Sequence, residues 1–228
     1  MAELPKINIL YEDNHLLVVE KPVNIPVCED SSKDENLLSI LKNYIKIRDN
    51  KPGNVYLGLV HRLDRPVGGI MVFAKTSKAA SRLSEQVRNK DLKKVYYAIV
   101  EGELGDKGHL EDYMVKDNKR NISYITSPTK GKIAILDYEV MARKNNFNLV
   151  RIKLVTGRSH QIRVQFASRG NPLVGDARYN KNFKVGTQIA LVAKELSFKH
   201  PISKEVMSFE IDLPDRYPFN IFYQLGDF

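Results

Sequence analysis

The chain has 228 residues, 43% of them apolar and 28% charged, which is enough apolar side chain to bury a core and excludes the disordered and fibrous classes. Its longer apolar runs, residues 70–74 and 189–193 among them, fall well short of the ~18 residues that a membrane-spanning helix needs. Thirty-six Lys and Arg against 27 Asp and Glu give a net charge of +9; residues 1–50 carry six basic and nine acidic side chains (−3), leaving thirty and eighteen (+12) for the rest. The attraction for a polyanion such as RNA or DNA therefore lies after residue 50.

Residues 1–8 pair no basic patch with an apolar stretch, so no secretory signal is read there. The single cysteine, Cys28, allows neither an intramolecular disulfide nor a thiolate metal cage, and a reducing cytoplasm is the expected compartment. The triplet Asn121-Ile122-Ser123 is then a chance match to a glycosylation acceptor.

In chain order, residues 7–11 and 16–20 are short apolar runs around Glu12-Asp13-Asn14, which predicts an opening hairpin. Ser32 with Glu35 fits a capping box, and Leu37, Leu38, Leu41, Tyr44 and Ile45 recur at helical spacing until Lys51-Pro52-Gly53. Residues 56–60 and 69–75 read as two buried strands. A second helix is expected after Thr76 or Ser77, carrying Ala80, Leu83 and Val87, and then a strand over residues 93–101. Further strands are expected at 133–141, 148–155, 188–193 and 205–211, with a helix from an N-cap at Ser159 to about Arg169 and Gly170 as its terminator. There is no internal repeat and no long linker. The strands outnumber the helices without alternating with them, so the expected architecture is a single α+β domain over residues 1–228.

Two segments concentrate chemistry. Between two expected buried strands lies His61-Arg62-Leu63-Asp64-Arg65-Pro66-Val67-Gly68, whose one carboxylate has arginines on both sides. A guanidinium within ~4–6 Å lowers a carboxylate pKa by ~1–3 units and would keep Asp64 ionised as a nucleophile or base. Local sequence favours the plainer alternative of an exposed ion-pair cluster. The second segment, Thr156-Gly157-Arg158-Ser159-His160-Gln161-Ile162-Arg163, reads as a strand end, a turn and a helix start. His160 and Arg163 would share one face, with Ile162 and Phe166 packing inward. This suits phosphate or simply an ordinary capped helix. The five histidines are scattered, so no metal site is expected, and no phosphate loop, dinucleotide fingerprint or serine nucleophile elbow occurs.

Taken together, these segments resemble the RluA-type pseudouridine synthases, enzymes that isomerise uridine in RNA without a cofactor. His61-Arg62-Leu63-Asp64-Arg65, followed by Gly69 and Ala74-Lys75, is similar to the family's catalytic motif. Residues 94–102, Lys-Val-Tyr-Tyr-Ala-Ile-Val-Glu-Gly, are similar to its second motif. Residues 156–163 continue through Gly170-Asn171-Pro172-Leu173-Val174-Gly175-Asp176 to Tyr179 and are similar to its third, and residues 191–201 are similar to its tail pattern. The likeness runs over roughly residues 7–213. It departs at Pro66-Val67-Gly68-Gly69, where Thr-Ser is more usual before the glycine, and at Gln165, where histidine is common.

The resemblance implies a mixed, mainly antiparallel bent sheet with flanking helices and an RNA-binding cleft. It implies catalysis by Asp64, Tyr96 and Arg163, with Asp64 as nucleophile or base, Arg163 paired with it and Tyr96 packed on the uracil. Arg62 would fill the space left by a flipped base, and His61, Arg65, Lys94, Arg158 and His160 are candidate RNA contacts. The form lacking the extra N-terminal RNA-binding domain is expected, acting as a monomer on ribosomal or transfer RNA, with no cofactor, no metal, no membrane and no obligate protein partner. Two rival readings remain: a non-catalytic RNA-binding or RNA-chaperone protein on the same scaffold, and a hydrolase, which would want more carboxylates for a metal.

Overall fold

The structure, a computed structural model, describes residues 7–30 and 32–225. Residues 1–6, most of the stretch in which no secretory signal is read, lie outside the described residues. The chain divides into two compact units, Met1–Lys93 with Glu195–Ile211, and Lys94–Lys194 with Asp212–Phe228.

In the first unit β1 (Asn8–Glu12) and β2 (Leu16–Lys21) form the expected antiparallel hairpin. Asp13 fixes its turn, one carboxylate oxygen accepting from the His15 and Leu16 amides at 2.7 Å each. The helix α1 (Leu37–Arg48) buries Leu37, Ile40, Leu41 and Ile45. Its N-cap is Asn36, whose side chain accepts from the Ser39 amide at 3.0 Å. The expected capping box at Ser32 and Glu35 does not form, because the Ser32 hydroxyl turns to Asp30 instead. β4 (Gly68–Ala74) pairs with β2 from Leu16↔Ala74 to Lys21↔Gly69 and is buried along its whole length, which explains its unbroken apolar sequence. Of the strand expected over 56–60 only β3 (Gly58–Leu59) pairs, against Ala74 and Phe73; Tyr56 is exposed. Thr76 caps α2 (Ser77–Arg88) through the Ala79 amide.

β10 (Leu191–Lys199) begins in the second unit and ends in the first, where Glu195–Lys199 pairs with β11 (Val206–Glu210). The core here joins Leu16, Val18, Ile70, Val72, Leu83 and Phe198.

In the second unit the strands run in the order β10, β5, β9, β8, β6, β7. β5 (Lys93–Glu101) has the expected bounds. It pairs antiparallel with β9 (Phe147–Leu154), which pairs with β8 (Lys132–Lys144). The sequence reading misses β6 (Lys107–Asp117) and β7 (Ile122–Thr126). β6 is polar along most of its length and fully buries only Leu110 and Met114, so neither strand periodicity nor an apolar run reveals it.

The helix α3 (Gln161–Ala167) is shorter than expected, and Ser159 is not its cap. His160 holds the cap position with φ 55° and ψ 23°, a left-handed conformation, and makes no side-chain cap bond. Gln161 reaches back instead, its carbonyl oxygen accepting from the Arg158 amide and the Thr156 hydroxyl. Gly170, at φ 81°, ends the segment as expected. Residues 161–166 are all buried, Arg163 included, so α3 is enclosed rather than two-faced. A short 3-10 helix, Phe219–Leu225, follows. Among the described residues no helix is long and apolar enough to cross a membrane.

Candidate active site

Asp64 stands in the loop between β3 and β4, in the first unit. The loop is fastened on both sides of it. Leu63 and Val67 are buried, and the Asp64 carbonyl accepts from the Val67 amide at 3.0 Å. His61 is buried and its Nε2 accepts from the Val72 amide at 3.2 Å. That bond gives His61 an anchoring task on β4 and requires Nε2 to be unprotonated.

The strongest fastening is Lys21, a residue the sequence reading did not single out. Lys21 is 1% exposed. Its Nζ donates to the carbonyls of Pro22 at 2.8 Å, Arg65 at 3.1 Å and Val67 at 2.8 Å. Three N–H groups thus meet three acceptors, two of them one and three residues after Asp64. Burial pushes the Lys21 pKa down to about 7; the Asp64 charge opposes that shift and Arg65 adds to it.

The arginines beside Asp64 are directed elsewhere. Arg65 donates from Nε to the Asn24 carbonyl, from Nη1 to the Ser32 hydroxyl at 3.0 Å and from Nη2 to Asp34 at 2.5 Å. Arg62 is exposed, with Nη1 3.9 Å from the Cys28 sulfur. The cation enclosed by the Asp64 loop is therefore Lys21 rather than Arg65.

The other candidate catalytic residues belong to the second unit. Tyr96 lies buried on β5 opposite Ile152. Arg163 of α3 makes a fork-to-fork pair with Asp176, Nε to Oδ2 at 2.8 Å and Nη2 to Oδ1 at 2.7 Å, with the side chains 7% and 1% exposed. Two parallel charged hydrogen bonds fix the guanidinium plane. Its face lies 5.1 Å from the Tyr179 ring centroid. The Tyr179 hydroxyl accepts from the Ser123 amide at 2.8 Å and meets His160 Nδ1 at 2.7 Å, so His160 braces the ring that backs Arg163. Burial raises the Tyr179 pKa.

Gly175, at φ 76°, makes the turn into Asp176; a Cβ there would lie 2.2 Å from the Gln188 carbonyl oxygen, so only glycine fits. Asp176 and Tyr179 lie within the third motif, yet the sequence reading gave neither a role; their signal was position in that motif. Arg158 donates from Nε to the Ile133 carbonyl at 2.8 Å. Lys94 begins this unit, partly buried and near Gly157. Among the described residues no three His, Cys, Asp or Glu gather as a metal cage.

Comparison with known proteins gives a consistent set of likenesses. The model of a family described as RNA pseudouridylate synthase matches residues 15–168. The chain is 36% identical over 217 residues to an uncharacterized RNA pseudouridine synthase, YhcT, of Bacillus subtilis, covering 94% of this chain and 71% of that protein. It is 36% identical over 214 residues to the dual-specificity RNA pseudouridine synthase RluA of Haemophilus influenzae, covering 90% and 92%. In fold it matches human RNA pseudouridylate synthase domain containing 4 at a TM-score of 0.78 and 23% identity, over 96% of this chain and 92% of that one.

Proposed function

The chain belongs to the RNA pseudouridylate synthase family and is an RNA pseudouridine synthase, an isomerase; from that premise we propose that Asp64 performs the central step on a specific uridine of a structured ribosomal or transfer RNA. The reaction breaks the bond between the ribose anomeric carbon and N1 of uracil, turns the base and joins the same carbon to C5. The C5 proton leaves, N1 takes one up, and nothing is oxidised or reduced. Asp64 acts as nucleophile toward the ribose or as the base that removes a ribose proton. The observation that carries this reading is the Lys21 ammonium bonded to the Arg65 and Val67 carbonyls. A carboxylate that must meet one atom at one angle needs a fixed backbone, and this contact supplies it.

In the same reading Arg163 orients Asp64 and keeps it ionised, using a guanidinium plane already set by Asp176. Tyr96 packs on the uracil; a phenol with an ordinary pKa near ~10 serves better as a surface than as a base at neutral pH. A stacked uridine must leave its helix first, at a cost of a few kcal/mol, and the exposed Arg62 takes its place. Phosphate contacts after residue 50 supply most of the affinity, with Arg65, Lys94 and Arg158 as candidates; His61 and His160, expected to touch RNA, are buried and engaged with the Val72 amide and the Tyr179 hydroxyl, which makes them supports instead. The printed name of the Haemophilus relative, dual-specificity, supports a substrate choice that spans RNA classes. Residues 1–228 act as one catalytic domain, a reading supported by the passage of β10 from one compact unit into the other. We place the protein in the cytoplasm as a monomer.

The test is to incubate the purified protein, without nucleotide or metal, with unmodified ribosomal and transfer RNA transcripts and map pseudouridine at nucleotide resolution. Sites made by the wild type and absent with Asp64→Asn are expected. Binding without any site would favour the RNA-binding alternative.

A further inference from the structure

We propose that Lys116, Lys132, Arg158 and Arg178 form a surface of the second unit that holds phosphates of the RNA flanking the target uridine. The proposal rests on the synthase reading above and names a part of its RNA interface.

The sheet of this unit sorts its charges by face. Residues paired across strands share a face, so the registers Lys107↔Glu139, His109↔Asp137 and Asp137↔Lys153 gather Lys107, His109, Asp137, Glu139 and Lys153 on one side. There the charges answer one another, Lys107 meeting Glu139 at 2.8 Å and His109 meeting Asp137 at 2.7 Å. The other side packs Met114 and Ala134 against Val164 of α3. Asp112, the carboxylate that β6 brings to this side, is already taken by Arg169 and Gln165.

Past Met114 and Ala134 the same side ends in Lys116 and Lys132, both exposed. Lys132 is paired with Met114, so the two lysines are diagonal neighbours about 7–8 Å apart. Among the described residues neither ammonium makes a hydrogen bond or an ion pair. An arginine stands beside each. Arg158 donates from Nε to the carbonyl of Ile133, next to Lys132. Lys116 is paired with Ser123, whose amide bonds Tyr179, the neighbour of Arg178; Arg178 donates from Nη1 to the Arg120 and Asn121 carbonyls. Each guanidinium is thereby fixed, and among the described residues its other N–H groups bond to no protein group.

Like charges set this close repel in the free protein, and a polyanion relieves that repulsion. Guanidinium groups already fixed offer their remaining donors to phosphate at little further cost in entropy. Tyr138, in register with Tyr96 through Ile152, lies six residues along β8 from Lys132, about 20 Å. The surface is therefore out of reach of the base on Tyr96, and it serves to grip and place the flanking RNA.

The experiment measures affinity for unmodified transfer and ribosomal RNA transcripts against salt, with thermal unfolding and turnover in parallel. Lys116→Gln combined with Lys132→Gln is compared with Lys107→Gln combined with Lys153→Gln, which removes the same charge from the opposite face. The first pair is expected to melt with the wild type and bind about tenfold more weakly. It should lower the slope of log affinity against log salt by about 2, at about 1 per phosphate contact, and raise KM for RNA with kcat kept. The second pair should bind within about twofold of the wild type. Lys116→Arg combined with Lys132→Arg should keep the wild-type affinity and slope.

Equal losses from the two faces would reduce the effect to net charge and overturn the surface, as would wild-type binding by the first pair. A first pair that melts well below the wild type, or an arginine pair that binds as weakly as the glutamine pair, would also overturn it, because the lysines would then act through the fold. The surface is read from binding and the synthase reading from turnover, so a wild type that shows this difference between faces yet modifies no transcript overturns the synthase reading alone.

Discussion

The Asp64 loop and the Arg163 helix both depend on a buried cation, but in opposite ways. At Asp64 the cation is the support: Lys21 is a point charge held by three neutral carbonyls, two of which lie just after the carboxylate proposed to act, at Arg65 and Val67. At Arg163 the cation is itself the group proposed to act, a planar fork gripped by the carboxylate of Asp176 and backed by Tyr179. The choice of residue follows the task. A compact ammonium with three rotatable donors suits carbonyls arriving from different directions, whereas a guanidinium matches one carboxylate with two parallel bonds. Removing each support should therefore fail differently: losing Lys21 loosens a loop, whereas losing the Asp176 carboxylate releases a guanidinium plane.

The largest effect should come from Asp176→Asn. It removes the negative charge from a fork-to-fork pair that is 7% and 1% exposed, and breaking a buried pair on one side costs about 3–5 kcal/mol. A denaturant titration should show a large drop in the unfolding midpoint, and turnover should fall with it. A midpoint equal to wild type would mean that Asp176 is no more than a neighbour and would break the comparison.

Lys21→Met should cost less, about 1–3 kcal/mol, because the lost hydrogen bonds to carbonyls are partly offset by relief from burying a charge. Steady-state kinetics should place the damage in kcat with KM for RNA nearly unchanged, since the loop that carries Asp64 loosens while the phosphate contacts remain. A change confined to KM would sink the support role.

The pH dependence sharpens the same contrast. The folded-state pKa of Lys21 is about 7, against about 10.4 in an unfolded chain. Between those values the unfolded state binds more protons, so this residue's share of stability rises with pH across about 7 to 10. Deprotonation also removes one of its three donors, so turnover should decline over the range in which stability climbs. Unfolding and rate profiles of wild type and Lys21→Met, measured side by side, should show the variant lacking this divergence.

The smallest effect is expected at Arg65, whose pair with Asp34 is solvent-exposed on both sides, at 42% and 51%. Arg65→Ala should cost under about 1 kcal/mol of stability, and a loss of several kcal/mol would show that the loop depends on it more than its exposure suggests.

Much of this arrangement is legible in the sequence, and the parts that are not share a cause. β5 is recognised with its bounds because a run of β-branched and aromatic residues is a local signal. Asp64, Tyr96 and Arg163 stand out through motifs of a few adjacent residues. Lys21 does not, because a lysine ending an apolar run looks like an ordinary side chain reaching for solvent, and its acceptors lie 44 and 46 residues away. Asp176 sits in a quoted motif, but its partner is thirteen residues back on a helix. The start of α3 differs from the expected cap for a related reason: Ser159 is a good cap by composition, yet Gln161 satisfies the turn, which only the folded loop reveals. Supports are tertiary, and local composition carries little trace of them.

The most direct test of the central claim is a single-turnover measurement of pseudouridine formation by wild type and Asp64→Asn on the transcript the wild type modifies, with RNA affinity measured in parallel. Proteins that bind within a few fold of each other while only the wild type turns over are the predicted result; an Asp64→Asn protein that still forms pseudouridine would contradict the role assigned to Asp64.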